Sequence, residues 1–427
     1  MTLAHILSLV CGTWNNLVHD NPGIWSSISI RLAFTSPRDA TPAGEEILAQ
    51  RIHDTVAAVQ SVLELSEEKP LCIDVYIPFD HHHAFVLVLQ RLVSECHRWQ
   101  SIRLRVGALL YNEVFLPISG KLPLLRSLEF HGRMGGIPLN RTLTLFQEAP
   151  SLRDVRFCIL ALDEQILRST IIPWSQITFL TLSDLAVSEA CVPVKNILDR
   201  ATRLQTLHLG HEYMYPRTTF APVQALASPV QRLILDGHSL SAEHREQFSF
   251  ESYSFPNLTD LEIDLNGHSD LEEAEVSSIR QCLFGVSSTL TSLTLSTWRL
   301  GLSSLTSLLG GHERLRLTSL NLRFAMWKGE PSSVEHIPVL IGLKAISVTV
   351  RHINGRRGKT IPSLDGLLSL AHRYLSGGIE QSSLRRIHFR IFASLGTVKE
   401  VHKQKAREIR DMGCEILLVD MNGLADL

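Results

Sequence analysis

Leu290-Thr291-Ser292-Leu293-Thr294-Leu295 is followed 27 residues later by Leu317-Thr318-Ser319-Leu320-Asn321-Leu322, and 26 residues after that by Leu343-Lys344-Ala345-Ile346-Ser347-Val348. Each copy reads apolar-x-x-apolar-x-apolar. The same signature opens at Trp99, Leu125, Leu152, Ile177, Leu204, Val230, Leu258 and Leu384, so that eleven anchors are spaced 26, 27, 25, 27, 26, 28, 32, 27, 26 and 41 residues apart. Side chains alternate across a strand, so the spaced pair in each copy (Leu207 and Leu209, or Leu293 and Leu295) points one side of a short strand inward. The residues between copies form a return path. One copy alone cannot bury its apolar face, whereas stacked copies build a continuous core, each adding a few aliphatics worth ~1.5 to 3 kcal/mol apiece before chain entropy is subtracted.

From about residue 71 to the end, the chain resembles the leucine-rich-repeat proteins. The fold expected is therefore α/β: a solenoid with a curved parallel sheet and helices or loops on its convex side. One departure is plain. The asparagine expected eight residues after each anchor stands only at Asn266, the other positions holding residues such as Arg133, Leu160, Glu212, His238 and Trp298. A regular asparagine ladder is not expected.

Ahead of the repeats, Leu3, Ile6, Leu7, Val10, Trp14, Leu17 and Val18 recur at spacings of three and four, which places them on one helix face. Asn21-Pro22-Gly23 breaks that helix, and Trp25, Ile28 and Ile30 return to apolar packing. Leu9-Val10-Cys11-Gly12-Thr13-Trp14 followed by Asn21-Pro22-Gly23-Ile24-Trp25-Ser26-Ser27-Ile28 resembles the C-terminal half of an F-box, as found in fungal F-box/leucine-rich-repeat proteins. The Leu-Pro motif and first helix with which that module begins are absent from this sequence, so either the native N-terminus is longer or the segment is a remnant. The resemblance implies docking to the adaptor of an SCF-type ubiquitin ligase, with Leu7, Val10, Trp14, Leu17 and Trp25 as candidate contacts. The residues alone fit equally well a terminal cap in which Trp14 and Trp25 are core aromatics.

Four segments follow: residues 1–34 as a partial F-box-like helical segment, 35–44 as a Pro/Gly/Ser/Thr linker, 45–98 as a helical spacer with a first strand-helix unit, and 99–427 as the repeat solenoid. In the spacer, Leu48, Ile52, Val56, Val59 and Leu63 recur at helical spacing, and Pro70 precedes the strand-like Leu71-Cys72-Ile73-Asp74-Val75.

Composition excludes several classes. With 427 residues, 44% apolar and 20% charged, the chain is neither disordered nor collagenous. Its 41 basic and 43 acidic residues leave a net charge of −2, far from the footprint of a general nucleic-acid binder. The most apolar run, Ala84 to Val93, already holds Gln90 and Arg91, too short and too polar for a membrane span. No basic residue precedes Leu3 to Cys11, which argues against a signal peptide. Seven cysteines (Cys11, Cys72, Cys96, Cys158, Cys191, Cys282, Cys414) form no C-x-x-C pair, so free thiols in a reducing cytoplasmic or nuclear setting are expected.

Catalytic constellations are lacking. Gly358-Lys359-Thr360 would end a phosphate-binding loop, but the glycine needed five residues ahead is Ile353. His81-His82-His83 and His208-x-x-His211 have no further ligand at metal spacing, and Tyr215 stands where a metalloprotease helix needs its second histidine. Asn140-Arg141-Thr142 and Asn257-Leu258-Thr259 match the glycosylation pattern, which matters only in a secreted chain. The expectation is a non-enzymatic protein with no catalytic, cofactor-binding or metal residues and no cofactor.

Binding should sit on the concave face, where the residues flanking each buried pair point outward. The substrate-binding candidates are Arg103, Arg105 and Arg156 among the first repeats. His208, Arg232 and Asp236 follow in the middle, then the acidic trio Asp260, Glu262 and Asp264, then Arg323, and finally the basic group Arg386, His388 and Arg390. Three like charges on one strand repel, which favours a binding role for the trio. The wide spacings mark two loops, an acidic one from His268 to Ser278 and a basic one from Arg351 to Thr360. The expected partners are the SCF adaptor and a protein substrate, the alternative being a leucine-rich-repeat scaffold or inhibitor with no ligase role.

Overall fold

A computed structural model describes residues 9–31, 42–77, 85–106, 114–132, 144–159, 172–183, 197–210, 226–236, 253–270, 273–286, 288–310, 315–328, 333–337, 340, 342–350, 364–376, 384–391, 400–420 and 423–424. Leu7, His81 to His83, Asn140, Cys191, His211, residues 35–41 of the expected linker and the Arg351–Thr360 loop lie outside them. The chain divides into two compact units, the first running to Leu204 and the second built from Gln205 onward.

The first unit opens with helix α1 (Gly12–His19), a 3-10 turn at Pro22–Trp25 and strand β1 (Ser27–Arg31). Helix α2 (Pro42–Leu65), strand β2 (Leu71–Ile77), helix α3 (Phe85–Ser94) and strand β3 (Trp99–Val106) follow. Three more strands complete it: β4 (Ser127–Gly132), β5 (Asp154–Ile159) and β6 (Phe179–Ser183). All pair in parallel, in chain order. The early return paths are helices, and the later ones carry 3-10 turns at Leu116–Ile118, Thr144–Phe146 and Trp174–Gln176.

In the second unit, β7 (Thr206–Leu209), β9 (Arg232–Asp236), β11 (Asp260–Asp270), β12 (Ser292–Gly301), β13 (Ser319–Lys328), β14 (Ala345–Val350), β15 (Arg386–Ile391) and β16 (Glu415–Asp420) form one parallel sheet. The short β17 (Gly423–Leu424) turns back antiparallel on β16, and β8 (Leu226–Ala227) pairs with β10 (Tyr253–Ser254) as a separate ribbon. Its return paths include α4 (Glu273–Val286), α5 (Leu302–Leu309), α6 (Leu364–Ser376) and α7 (Glu400–Asp411).

This is the leucine-rich-repeat architecture in both units, one parallel strand per repeat with a helix or turn leading to the next. All eleven anchors are buried, none more than 3% exposed. Within the strands Leu128 and Phe130, Val155 and Phe157, and Leu293 and Leu295 are buried as the alternation demands. Three threonines form a ladder between successive repeats. Just after the anchor, the hydroxyls of Thr259, Thr291 and Thr318 donate to the carbonyls of Gln231, Thr259 and Thr291 at 3.2, 3.1 and 3.1 Å. Backbone N–H groups of the same residues bond the same carbonyls at 2.8 to 2.9 Å, so each repeat is fastened to its predecessor before the strand begins.

Three elements depart from the expectations. Ser27–Arg31 is a strand in register with Cys72–Tyr76, so the end of the F-box-like segment belongs to the sheet. Strand β16 carries no apolar anchor, because the equivalent position is Gly413, whose φ of +81° closes α7. The described residues of the acidic segment His268–Ser278 are strand and helix, not loop: β11 extends to Asp270 and α4 begins at Glu273. Acids suit a helix start, where they face the partial positive charge of unpaired N–H groups.

Candidate interaction surfaces

The N-terminal segment separates its apolar residues into two sets. Val18 and Trp25 are buried and pack with Val62 and Leu65 of α2. The Trp25 indole N–H donates to the Val18 carbonyl at 2.9 Å, so the turn after α1 is bolted down by one aromatic side chain. The other set is open: Leu9 is 68% exposed, Val10 61%, Leu17 50% and Trp14 43%. Of the adaptor candidates, Val10, Trp14 and Leu17 therefore face solvent together. Trp25 does not: it is a core residue of the cap, unavailable to a partner without unfolding the turn. The sequence could not separate the two tryptophans, since both lie on the apolar pattern.

The open face of β1–β6 carries the first group of charged candidates. Register places Asp74, Arg103, Glu129 and Arg156 side by side on β2 to β5, and Tyr76, Arg105, His131 and Cys158 on the next row. Opposite charges thus alternate along the first row. Arg103 pairs with Glu129 at 2.8 Å and approaches Asp74 at 3.9 Å, while Arg31 pairs with Asp74 at 3.0 Å. Arg156 grips Asp154 through Nε and an Nη at 3.2 and 3.1 Å, and its guanidinium lies 4.9 Å from the Phe179 ring centre. Arg105 lies 6.0 Å from the Tyr76 ring centre, with its nearest carboxylate oxygen, on Glu129, at 4.0 Å.

Glu129 is the electrostatic centre of this face. Burial alone would raise its carboxyl, but the His131 hydrogen bond at 2.5 Å and the Arg103 guanidinium outweigh it and hold the group at about 2. His131 is lifted to about 9 by its hydrogen bonds to Cys158 and then Glu129, against burial and the Arg105 charge. At neutral pH the imidazole is a cation. The thiol partner was not legible from sequence, because Cys158 meets His131 only through the register of β4 and β5. Asp74 and Tyr76 join this face as well, both on the outward side by the alternation of Leu71 to Ile77.

The open face of the second unit holds the remaining candidates. His208 pairs with Asp236 at 3.3 Å. Arg232 and Arg323 converge on Glu262 at 2.9 and 3.0 Å, and the Thr259 hydroxyl donates to Asp260 at 3.0 Å. Asp264 lies on one register row with Asp236, Ser296 and Arg323. The mutual repulsion expected of the acidic trio is relieved at its centre, where Arg232 of β9 and Arg323 of β13, two strands away, both pair with Glu262. Arg386 pairs with Glu415 at 2.9 Å, and Arg390 is exposed. Burial, together with the Arg390 and Arg386 charges, pushes the His388 imidazole below its ordinary value.

Among the described residues no group of three or more His, Cys, Asp or Glu side chains is placed to hold a metal ion. None of the described helices is long and apolar enough to cross a membrane. Burial raises the Cys96 and Cys414 thiols, Cys414 to about 11, whereas Cys11 and Cys72 are exposed.

No protein-family model and no curated protein matches the chain. Among solved structures it is similar to the leucine-rich-repeat-containing protein LegL7 from Legionella pneumophila, at 16% identity and a TM-score of 0.40, over 76% of this chain and 92% of that one. It is also similar to a chain of the Rad7–Elc1 complex in yeast, at 13% identity and a TM-score of 0.36, over 91% of this chain and 87% of that one.

Proposed function

We propose that the chain is a protein-interaction subunit that recognises substrates for an SCF-type ubiquitin ligase. Its N-terminal segment docks the adaptor, and an open strand face holds the substrate. Such a subunit performs no covalent chemistry; it raises the local concentration of substrate beside the transferring enzyme. The observation that carries this reading is the division within residues 9–25. Trp25 and Val18 anchor the segment inward, while Leu9, Val10, Trp14 and Leu17 remain as an exposed apolar group of the kind that marks docking sites. Leu9, Val10 and Trp14 are also among the residues that carry the F-box resemblance. Charged strand faces supply the second requirement, a surface that selects among partners by charge complementarity.

The test is capture of the SCF adaptor by the chain and by Val10→Asp and Leu17→Asp variants. Both sites are exposed, so both variants should fold. Deleting the segment would be a poorer test, because it removes β1 from the edge of β2. The reading expects capture by the parent chain and its loss in both variants. Capture that survives both substitutions, or none by the parent, would leave a scaffold without a ligase role.

A further inference from the structure

The open face of β1–β6 is unequally charged. Among the described residues, five cationic groups, Arg31, Arg103, Arg105, Arg156 and the His131 imidazolium, meet three carboxylates, Asp74, Glu129 and Asp154. Two of those carboxylates are fully used. Asp154 receives both bonds of the Arg156 fork, and Glu129 is held by His131 and Arg103 at 2.5 and 2.8 Å.

Arg105 is the group left over. It sits directly across from His131 in the register, with an Nη 3.4 Å from the imidazole Nε2, so two cations face each other on adjacent strands. Its Nε finds no hydrogen-bond partner among the described residues. Like charges directly opposite one another destabilise a sheet, and this arrangement lacks one anion. The guanidinium lies over the Tyr76 ring, 6.0 Å from its centre, and its side chain is 42% exposed, within reach of solvent. A guanidinium already held on an aromatic ring loses little freedom when it binds a carboxylate.

We propose that this face binds an acidic segment of a partner protein in extended form, its aspartate or glutamate carboxylates pairing with Arg105, beside the His131 imidazolium, and, on the next row, with Arg103. The spacing suits such a segment. Arg103 and Arg105 are two residues apart on one strand, about 7 Å, and neighbouring strands lie about 4.8 Å apart, so acids at alternate peptide positions reach successive cations. On β9 to β13 of the second unit the described charges are instead weighted to acid, since Arg232 and Arg323 both serve Glu262, with Asp236, Asp260 and Asp264 nearby. This inference rests on the reading of the chain as an interaction module, and names the chemistry of the partner; it does not need the N-terminal docking.

The experiment is fluorescence anisotropy with the full chain and a fluorescein-labelled peptide alternating serine and glutamate. A serine–glutamine peptide and a single-stranded oligonucleotide serve as comparisons. The expected result is binding of the glutamate peptide alone, weakened about tenfold or more by Arg105→Gln and less than about twofold by Lys403→Gln on α7 in the second unit. Raising salt should weaken it further. Arg105→Gln also relieves a cation–cation contact, so its thermal midpoint should equal or exceed that of the parent, which separates lost binding from lost fold. Absence of peptide binding, binding untouched by Arg105→Gln, or tighter binding of the oligonucleotide would each overturn the proposal. Adaptor capture by the same preparations tells the two readings apart. If capture persists while the peptide fails, only this inference falls.

Discussion

Replacing Glu129 by glutamine takes one negative charge from a face where three cations depend on it. The substitution keeps size and shape, so its cost is electrostatic. His131 at 2.5 Å and Arg103 at 2.8 Å lose their counter-charge, and Arg105 loses its nearest carboxylate. The carboxyl falls from its ordinary 4.5 to about 2. At 1.36 kcal/mol per unit, that shift would correspond to about 3 kcal/mol. Arg103 and Arg105 are 41% and 42% exposed, so solvent screens much of the interaction. The expected loss is then about 1 to 2 kcal/mol.

The dependence on pH follows from the two shifts. A depressed carboxyl gives stability that is present above its ordinary value of 4.5 and lost as pH falls through about 2. A raised imidazole gives stability that is fully present below 6.5 and lost as pH rises through about 9. The gap between the parent and Glu129→Gln should therefore be widest between about pH 5 and 6.5, and narrow toward the Arg103 contribution above pH 9. Urea denaturation followed by circular dichroism at several pH values measures it, and NMR titration of His131 should show its pKa falling in the variant. Equal midpoints at pH 6, or a gap that does not vary with pH, would refute the reasoning.

Three further outcomes are expected. Trp25→Ala removes the indole bond to Val18 and the packing on Val62 and Leu65, and should cost about 3 to 5 kcal/mol by denaturation, whereas Trp14→Ala, at a half-open site, should cost under about 1 kcal/mol. Thr291→Val keeps the shape but deletes one rung of the threonine ladder, at a cost of about 0.5 to 1.5 kcal/mol in the same assay. A thiol reagent should label Cys11 and Cys72 quickly in the native chain, and Cys96 and Cys414 only on unfolding; equal rates for all four would contradict the assigned burial.

The repeat was legible because its evidence is local. An anchor, a spaced pair and a near-constant interval recur within each copy, and burial of all eleven anchors follows from that pattern. β16 was missed because one glycine, Gly413, must both end a helix with positive φ and stand where the apolar anchor would be. Composition alone makes the α4 segment resemble an acidic loop, whereas the place of its acids in the first turn is what a helix start favours. The charged surfaces were half legible. Alternation put Arg103, Arg105, Glu262 and Arg323 on the outward side, but pairing depends on which residues register brings together across 26 to 61 positions. The two arginines on Glu262, and the thiol beside His131, are consequences of that register alone. The division of Trp14 from Trp25 is likewise tertiary, since only packing on α2 decides which tryptophan is covered.

Residues 9–25 are fastened on one side and open on the other, and the proposed function makes that open side the adaptor-docking surface. Amide hydrogen exchange of the chain with and without the SCF adaptor tests it most directly. The account predicts slowed exchange on adaptor addition in residues 9–24, with the amides of β3 to β5 unchanged. Unchanged exchange in 9–24 at saturating adaptor, or protection confined to the open strand face, would contradict it.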